Sequence, residues 1–99
     1  MEIITVKHKA IRKMVRDASL TAVKGLDPFE FTIIAQQIAA IRVMTHPRQL
    51  VENFPNWRAH EWKGRAGYWS LDVTGNRRLL FHCDIAKQQV SLLDYRDPH

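Results

Sequence analysis

The chain has 99 residues, which is enough for one domain with a modest core and leaves no room for a second module. Hydrophobic residues make up 45% of the chain, which excludes an intrinsically disordered protein. The 15 Lys and Arg residues outnumber the 10 Asp and Glu residues, and the net charge of +5 favours a polyanionic partner: nucleic acid, an acidic protein or an anionic surface. The alternative is a basic protein whose charge serves only its solubility.

The sequence also bears on cellular location. Cys83 is the only cysteine, so no intrachain disulfide forms, which suits a reducing compartment. The N-terminal residues carry scattered charges and lack the apolar segment of a signal peptide. The most apolar stretch, residues 31–43, contains two Gln and one Arg and is too short to span a bilayer. We therefore expect a cytoplasmic protein that does not contact membranes.

The first two predicted elements are a strand and a basic helix. Residues 2–6 alternate weakly and are rich in Ile, Thr and Val, which predicts a short strand. Over residues 7–18 the apolar residues recur at helical spacing, and four cations lie between them: Lys9, Arg12, Lys13 and Arg16. Most of these charges fit a solvated helix face, and some, Lys9 among them, could help to bind RNA or an acidic protein.

A second and more hydrophobic helix is predicted from Asp27 to about Met44. Asp27 suits the N-cap, Pro28 the first helical position and Glu30 the third. The helix ends before Pro47, because a residue that precedes Pro avoids the α region. Its apolar stripe is predicted to form the main layer against a sheet and consists of Phe31, Ile34, Ala35, Ile38, Ala39 and Ile41.

The segment from residue 60 to residue 81 is organised as a β-hairpin. Residues 68–73 alternate, a Thr-Gly-Asn turn follows, and residues 77–81 return. Side chains along a strand point to opposite faces in turn. The first strand is therefore predicted to bury Trp69, Leu71 and Val73 and to leave Tyr68, Ser70 and Asp72 on an open face.

A last strand is predicted at residues 89–95, after a short polar turn. Alternation would place Val90, Leu92 and Asp94 on one side of it and Ser91, Leu93 and Tyr95 on the other. The long connection before the hairpin offers at most one helical turn, at residues 49–53. The prediction is one α+β domain over residues 1–99, in the order βααβββ, with two helices on one face of an antiparallel sheet.

The chemistry available to this fold is limited by what the sequence lacks. No phosphate-binding loop, dinucleotide fingerprint, zinc-protease motif or serine-hydrolase motif occurs, and the five histidines lack metal-ligand spacing, so we expect no metal and no cofactor. His82 and Cys83 are adjacent in a strand, so their side chains diverge, and Cys83 is predicted to be a core residue.

The cations and titratable groups near the predicted sheet suit metal-free cleavage of RNA. A base would take the proton of a 2′-hydroxyl, and cations would stabilise the charge that develops on the phosphate. Spacing alone does not distinguish these candidate residues from the charged residues that any basic sheet would carry. The candidates are His60, Lys63, Arg65, Arg78, Asp94 and Tyr95.

A long motif makes the chain resemble one toxin family. The motif is His60-x-x-Lys63-Gly64-x-x-Gly67-Tyr68-Trp69-Ser70-x-x-Val73-x-Gly75-Asn76-x-Arg78-x-x-Phe81. With Lys7-His8-Lys9 near the start and Asp94-Tyr95 near the end, the sequence resembles the bacterial HigB toxins of the RelE/ParE superfamily over essentially its whole length. The resemblance implies a RelE-like fold and a toxin of a type II toxin–antitoxin pair.

The resemblance also implies an activity and partners. HigB proteins are mRNA interferases that cut translated mRNA in the A site of the 70S ribosome without a metal. Their antitoxin, of the HigA type, is a helix-turn-helix protein that binds the toxin and represses the shared operon. Operator DNA is then contacted only through the antitoxin.

Residue roles follow from the resemblance by position. His60 would be the loop histidine of the active site, and Lys63 and Arg78, both expected to be exposed, would hold the scissile phosphate. Asp94 and Tyr95 would be an acid/base or positioning pair. Further RNA-binding charge would come from Lys9, Arg65, Arg77 and Arg96. The family motif residues Gly67, Trp69, Gly75 and Asn76 are expected to turn or pack the hairpin.

Two departures from the family pattern leave alternatives open. HigB toxins typically end in Asp-Tyr-His with a catalytic histidine, and here Arg96 takes that position, although its pKa is too high for proton transfer. His99 either folds back to replace that histidine or belongs to a frayed end. Arg77 replaces an aromatic residue and is expected to face away from Arg78.

Because of these departures, two other functions stand as alternatives. The first is inhibition of DNA gyrase, as in ParE-type relatives that cut no RNA. The second is a degenerate toxin that keeps only the binding of its antitoxin or of the operator complex.

Overall fold

A computed structural model describes residues 1–97 of the chain, so the predicted role of His99 lies outside the described residues. It is an α+β structure with an N-terminal strand, helices and a five-stranded mixed sheet. The helices are α1 (Lys9–Arg16), α2 (Pro28–Val43) and α3 (Arg48–Asn53), and a 3₁₀ turn follows at Pro55–Trp57. The strands are β1 (Glu2–Ile3), β2 (His60–Glu61), β3 (Tyr68–Asp72), β4 (Arg78–Asp84) and β5 (Gln89–Arg96).

The start of α2 confirms the prediction made from its N-terminal residues. The Asp27 carboxylate accepts a hydrogen bond from the Glu30 N–H at 2.8 Å, and the Glu30 carboxylate accepts one from the Asp27 N–H at 3.1 Å. This reciprocal capping box satisfies two N–H groups that the helix leaves unpaired. The predicted apolar stripe is shifted, because Ala39 is exposed whereas Gln37 and Ala40 are buried. Gln37 lies at the sheet and donates a 2.9 Å hydrogen bond to the carbonyl of Asp72.

The sheet corrects the predicted antiparallel topology. Its strand order is β1-β5-β4-β3-β2, and β1 runs parallel to β5, with Glu2 opposite Gln89 and Ile3 opposite Val90. A parallel neighbour requires a long crossover connection, which the helices and the hairpin supply here. The order βααβββ is also incomplete, because β2 forms where a loop was predicted, whereas α3 lies where one helical turn was predicted at residues 49–53. The predicted first strand over residues 2–6 shortens to β1, with an isolated bridge from Val6 to Leu93.

The last strand contains an irregularity that strict alternation did not predict. Leu92 has a φ of 56°, and the register between β4 and β5 shifts between Leu80 and His82. A bulge of this kind inserts one extra residue and reverses the alternation beyond it. Val90 is therefore buried on the same side as Leu93 and Tyr95, and Leu92 is exposed, which corrects the predicted faces.

The core lies between the helices and one face of the sheet. Ile11 of α1 and Ile34 and Ile41 of α2 are fully buried there. The sheet contributes Leu71 and Val73, as predicted from the hairpin, with Trp69 at the margin of the core; further core residues of the sheet are Leu79, Phe81, Val90, Leu93 and Tyr95. Ser70, predicted on an open face, is 3% exposed. Within residues 1–97, no helix is long and apolar enough to cross a membrane.

Replacing Gly67 is expected to destabilise this fold. Gly67 has a φ of +86°, and a Cβ there would lie 2.8 Å from His82 Nε2 and 3.3 Å from the Cys83 carbonyl oxygen. We expect Gly67→Ala to lower the free energy of unfolding by about 1–3 kcal/mol, measured by chemical denaturation. Gly64→Ala is the matched control, because Gly64 has a φ of +77° but faces open space. Equal losses in the two variants would contradict a steric contribution at Gly67.

Candidate functional site

An open cleft of about 200 Å³ lies on the sheet face that carries Leu80 and Asp94. Strands β3, β4 and β5 form its base. The loop between β2 and β3 forms one side, and Lys7, just before α1, contributes from another part of the chain. The lining residues are Lys7, Trp62, Arg65, Tyr68, Trp69, Leu80, Phe81, Leu92, Asp94 and Arg96.

The register of the sheet explains which side chains share this face. Residues directly opposite each other in antiparallel strands point to the same side. One row across the sheet joins His60, Ser70, Leu80 and Asp94. A second row joins Asp72, Arg78 and Arg96. The two rows place Arg78 and Arg96 side by side on the face of the cleft.

Positive charge dominates the cleft. Lys7, Arg65 and Arg96 supply three cations against the single carboxylate of Asp94, so the lining carries a net charge of 3 − 1 = +2. The Asp94 carboxylate lies 3.9 Å from Arg96 Nε and accepts a 2.9 Å hydrogen bond from the backbone N–H of Tyr95. The Arg96 contact is at the outer limit of an ion pair, and its guanidinium is largely exposed. Such a surface attracts phosphate groups.

The loop beside the cleft holds aromatic rings in fixed positions. The Trp62 N–H donates to the Tyr68 carbonyl at 2.7 Å, and the Arg65 N–H donates to the Trp62 carbonyl at 3.1 Å. The Gly67 N–H donates to the Glu61 carboxylate at 2.7 Å. These bonds keep the Arg65 guanidinium 4.3 Å from the centre of the Tyr68 ring and 5.7 Å from that of Trp62, which is cation–π geometry.

Arg78 lies on the cleft face but is less exposed than the sequence predicted. Its Nε pairs with the Asp72 carboxylate at 2.8 Å, and its Nη1 donates to the carbonyl of Thr74 at 2.9 Å. The side chain is 19% exposed, so the prediction of an exposed Arg78 is wrong. Its charge is largely balanced by Asp72, which also lies 3.6 Å from Arg58.

His60 and Lys63 do not line the cleft. His60, in β2, has its Nδ1 3.0 Å from the carbonyl oxygen of Arg58, in the segment just before that strand. Three strand spacings separate His60 from Asp94, or roughly 14 Å, which exceeds the reach of two groups that act on one phosphate. Lys63 is exposed on the loop that follows Trp62, as predicted, and forms no ion pair with any residue in the range 1–97. The structure therefore brings Asp94, Arg65 and Arg96 together and leaves His60 apart from them.

Tyr95 and Arg77 lie on the opposite face of the sheet, which corrects their predicted roles at the site. Tyr95 is 2% exposed, and its hydroxyl donates a short hydrogen bond to the buried Glu30 carboxylate. Arg77 donates to the same carboxylate at 3.0 Å and lies 4.3 Å from the centre of the Tyr95 ring. Register explains this placement, because Tyr95 pairs with the core residue Leu79. The expectation that Arg77 faces away from Arg78 is confirmed.

Two other predicted residues lie away from the cleft. Lys9 is exposed on α1, the helix whose buried side faces the core. Cys83 is buried in the core, as predicted, and burial raises the pKa of its thiol to about 11. The thiol is therefore protonated at neutral pH and is not a nucleophile there. Within residues 1–97 no group of three or more His, Cys, Asp and Glu side chains is arranged to hold a metal ion.

Sequence reasoning assigned no role to three residues that line the cleft. Lys7 reaches the cleft because β1 pairs in parallel with β5. This pairing joins Glu2 to Gln89, 87 positions further along the chain, and no local sequence pattern reveals it. Tyr68 was expected on the open face from alternation. Trp62 could have been recognised as a large aromatic residue in a basic, glycine-containing loop, next to a predicted site residue.

No known protein family has a sequence model that matches this chain, and no curated protein matches it either.

Removing the Tyr95 hydroxyl is expected to change how stability depends on pH. Burial, and then the hydrogen bond to Glu30, raise the pKa of Tyr95 above its ordinary value of 10.0. Its contribution is fully present below pH 10 and is lost at higher pH, because the unfolded chain gives up its proton first. Above pH 10 the unfolding free energy of Tyr95→Phe should fall less steeply than that of wild type, by up to about 1.4 kcal/mol per pH unit.

Chemical denaturation from pH 9 to pH 12 would measure this difference. Tyr68→Phe is the matched control, because Tyr68 lies on the other face and forms no bond with Glu30. Equal slopes in Tyr95→Phe and wild type would contradict the proposed coupling between Tyr95 and Glu30.

Proposed function

We propose that this chain is a RelE-like toxin of the HigB type, and that it acts as an endonuclease on translated mRNA at the ribosome. The long motif that contains Lys63, Gly67 and Arg78 supports the family assignment, and so does the α+β architecture. The cleft supports the activity. It combines three cations, one carboxylate and half-buried aromatic rings on one face of the sheet, which is the combination that single-stranded RNA requires.

Asp94 is the group best placed to act as the base. In the proposed reaction its carboxylate takes the proton of the 2′-hydroxyl while that oxygen attacks the adjacent phosphorus. The bond from phosphorus to the 5′-oxygen breaks, which leaves a 2′,3′-cyclic phosphate and a 5′-hydroxyl. The 5′-oxygen takes its proton from Lys7 or Tyr68, the two proton donors of the cleft other than arginine. DNA is not a substrate, because it lacks the 2′-hydroxyl.

Cations around Asp94 supply most of the proposed rate enhancement. A carboxylate is a weaker base than an imidazole, so charge stabilisation has to contribute more than proton transfer. Arg96 Nε lies 3.9 Å from the carboxylate, and Arg65 lines the same cleft. Arg78, next to Arg96 in register, and the exposed Lys63 add positive potential from outside it. No metal ion and no cofactor takes part in the proposed reaction.

The proposed function also implies binding partners. A HigA-like helix-turn-helix antitoxin would bind the toxin, and operator DNA would be reached only through that antitoxin. The substrate is mRNA on the 70S ribosome, which places the proposed action in the bacterial cytoplasm. The net charge of +5 supports association with ribosomal RNA and with the message.

A binding-only function is the second candidate, as a gyrase inhibitor of the ParE type or as a weakened toxin. One observation favours it: no histidine from the described part of the chain lines the cleft, and the Tyr95 hydroxyl is buried on the other face. The position that carries a catalytic histidine in HigB toxins is Arg96 here. A protein with these features could bind a polyanion through the same cleft without cleaving it.

Mapping of mRNA 5′ ends after induction in a bacterium tests the endonuclease proposal. We expect new 5′-hydroxyl ends within translated codons, and their absence would contradict it. Asp94→Asn should lower cleavage about 100-fold or more, since a general base contributes at least that factor. Asparagine has nearly the same size and keeps a hydrogen-bond acceptor, so the fold should be retained.

His60→Gln is the comparison variant, because His60 lies about three strand spacings from Asp94. We expect cleavage close to that of wild type. A loss as large as that of Asp94→Asn would contradict the assignment of the base to Asp94. Inhibition of DNA supercoiling by the purified protein, without cleavage in codons, would favour the second candidate.

A further inference from the structure

We propose that Trp62, Arg65 and Tyr68 form a subsite that stacks one unpaired base of the RNA. This inference rests on the proposed function and adds a base-recognition element to it. The phosphate of the same nucleotide would lie toward Asp94 and Arg96, which line the same cleft. The three residues of the stacking subsite are contiguous with that phosphate region.

The first observation is that two aromatic rings are not used by the core. The core contains Trp57 and has Trp69 at its margin, but Trp62 and Tyr68 belong to neither group. Both rings are half-buried and line the open cleft. An aromatic ring stabilises a fold through the area that it buries, so these two contribute less to folding than their size allows. The Arg65 guanidinium and the His82 ring cover part of the Tyr68 ring, and the remaining exposed surface of the two aromatic rings is available to a ligand.

The second observation is that hydrogen bonds hold the backbone of the loop in a defined conformation. Backbone bonds join Trp62 to Tyr68 at 2.7 Å and Arg65 to Trp62 at 3.1 Å, and the Tyr68 N–H donates to the Arg65 carbonyl at 3.1 Å. Glu61 holds the Gly67 N–H at 2.7 Å. Little conformational entropy is lost when such a loop binds a planar group, which favours stacking over a purely electrostatic contact.

The third observation concerns the chemistry of the ligand. A volume of about 200 Å³ is below the range of roughly 300–1,000 Å³ that is usual for drug-sized ligands, so the cleft has room for about one nucleotide of an RNA chain. A site for phosphate alone has no use for two aromatic rings. Cations beside stacking rings are typical of proteins that bind single-stranded nucleic acid. The planar Arg65 guanidinium, 4.3 Å from the Tyr68 ring, adds a third stacking surface.

An NMR titration of the purified protein tests the inference without relying on cleavage. The ligands are AMP, UMP and ribose 5-phosphate, which has the sugar and phosphate but no base. We expect AMP to shift the ring protons of Trp62 and Tyr68 upfield by ring current, UMP to do so less, and ribose 5-phosphate not to do so. Trp57 is an internal control, because it is buried against Phe54, with ring centres 4.0 Å apart, away from the cleft.

Leucine variants separate stacking from charge. Trp62→Leu and Tyr68→Leu should each weaken AMP binding about tenfold, the size of effect that loss of one base–aromatic stack produces, and should leave ribose 5-phosphate binding unchanged. Phe54→Leu is the matched control, since it removes an aromatic ring that lies outside the cleft. AMP binding should be unchanged in this variant.

Two results would overturn the inference: equal shifts with AMP and ribose 5-phosphate, or no shift at the two rings with any ligand. The mapping of mRNA 5′ ends tests the endonuclease proposal independently of the NMR titration. Cleavage within codons without stacking of AMP would remove the subsite and leave the endonuclease proposal standing. Stacking of AMP without cleavage would support a nucleotide-binding subsite and remove the endonuclease proposal.

Discussion

The site depends on Tyr95 pointing to one face of β5 while its neighbours Asp94 and Arg96 point to the other. Tyr95 points into the core, where its hydroxyl binds Glu30 and its ring lies under the Arg77 guanidinium. Because side chains alternate along a strand, Asp94 and Arg96 must point to the other face, into the cleft. Glu30 also caps α2, so one buried carboxylate links the helix layer to the end of β5. A change at Tyr95 would therefore disturb the strand that forms the floor of the cleft. It would not act through contact with a ligand.

The positive charge of the chain is divided between structural and available cations. Arg77 is paired with Glu30 at 3.0 Å, which attaches the hairpin to α2, and Arg78 is paired with Asp72 at 2.8 Å, which joins the two strands of the hairpin. Arg65 and Arg96 are exposed, and Lys7 lines the cleft as well. The net charge of +5 did not identify the site, because arginines that look equivalent in the sequence serve different purposes. Whether each of these cations can bind a phosphate depends on its ion-pair partners and not on the total number of cations.

Local patterns predicted much of the fold and less of the site. Asp27-Pro28 and the alternation around Trp69 correctly gave the start of α2 and the hairpin, since capping and alternation act over a few residues. The parallel pairing of Glu2 with Gln89 was missed, and with it the role of Lys7, because it depends on tertiary packing. The bulge at Leu92 reversed one predicted alternation, and the partners of Arg78 and Tyr95 could not be read from spacing.

The proposed function requires that RNA is held in the cleft beside Asp94. A cryo-electron microscopy structure of the protein on a translating 70S ribosome would test this directly, with a message that carries 2′-O-methyl groups to prevent cleavage. We predict the scissile phosphate between Lys7, Arg65 and Arg96, with the 2′-oxygen within hydrogen-bonding distance of the Asp94 carboxylate. A phosphate held at His60, with the cleft empty, would contradict it.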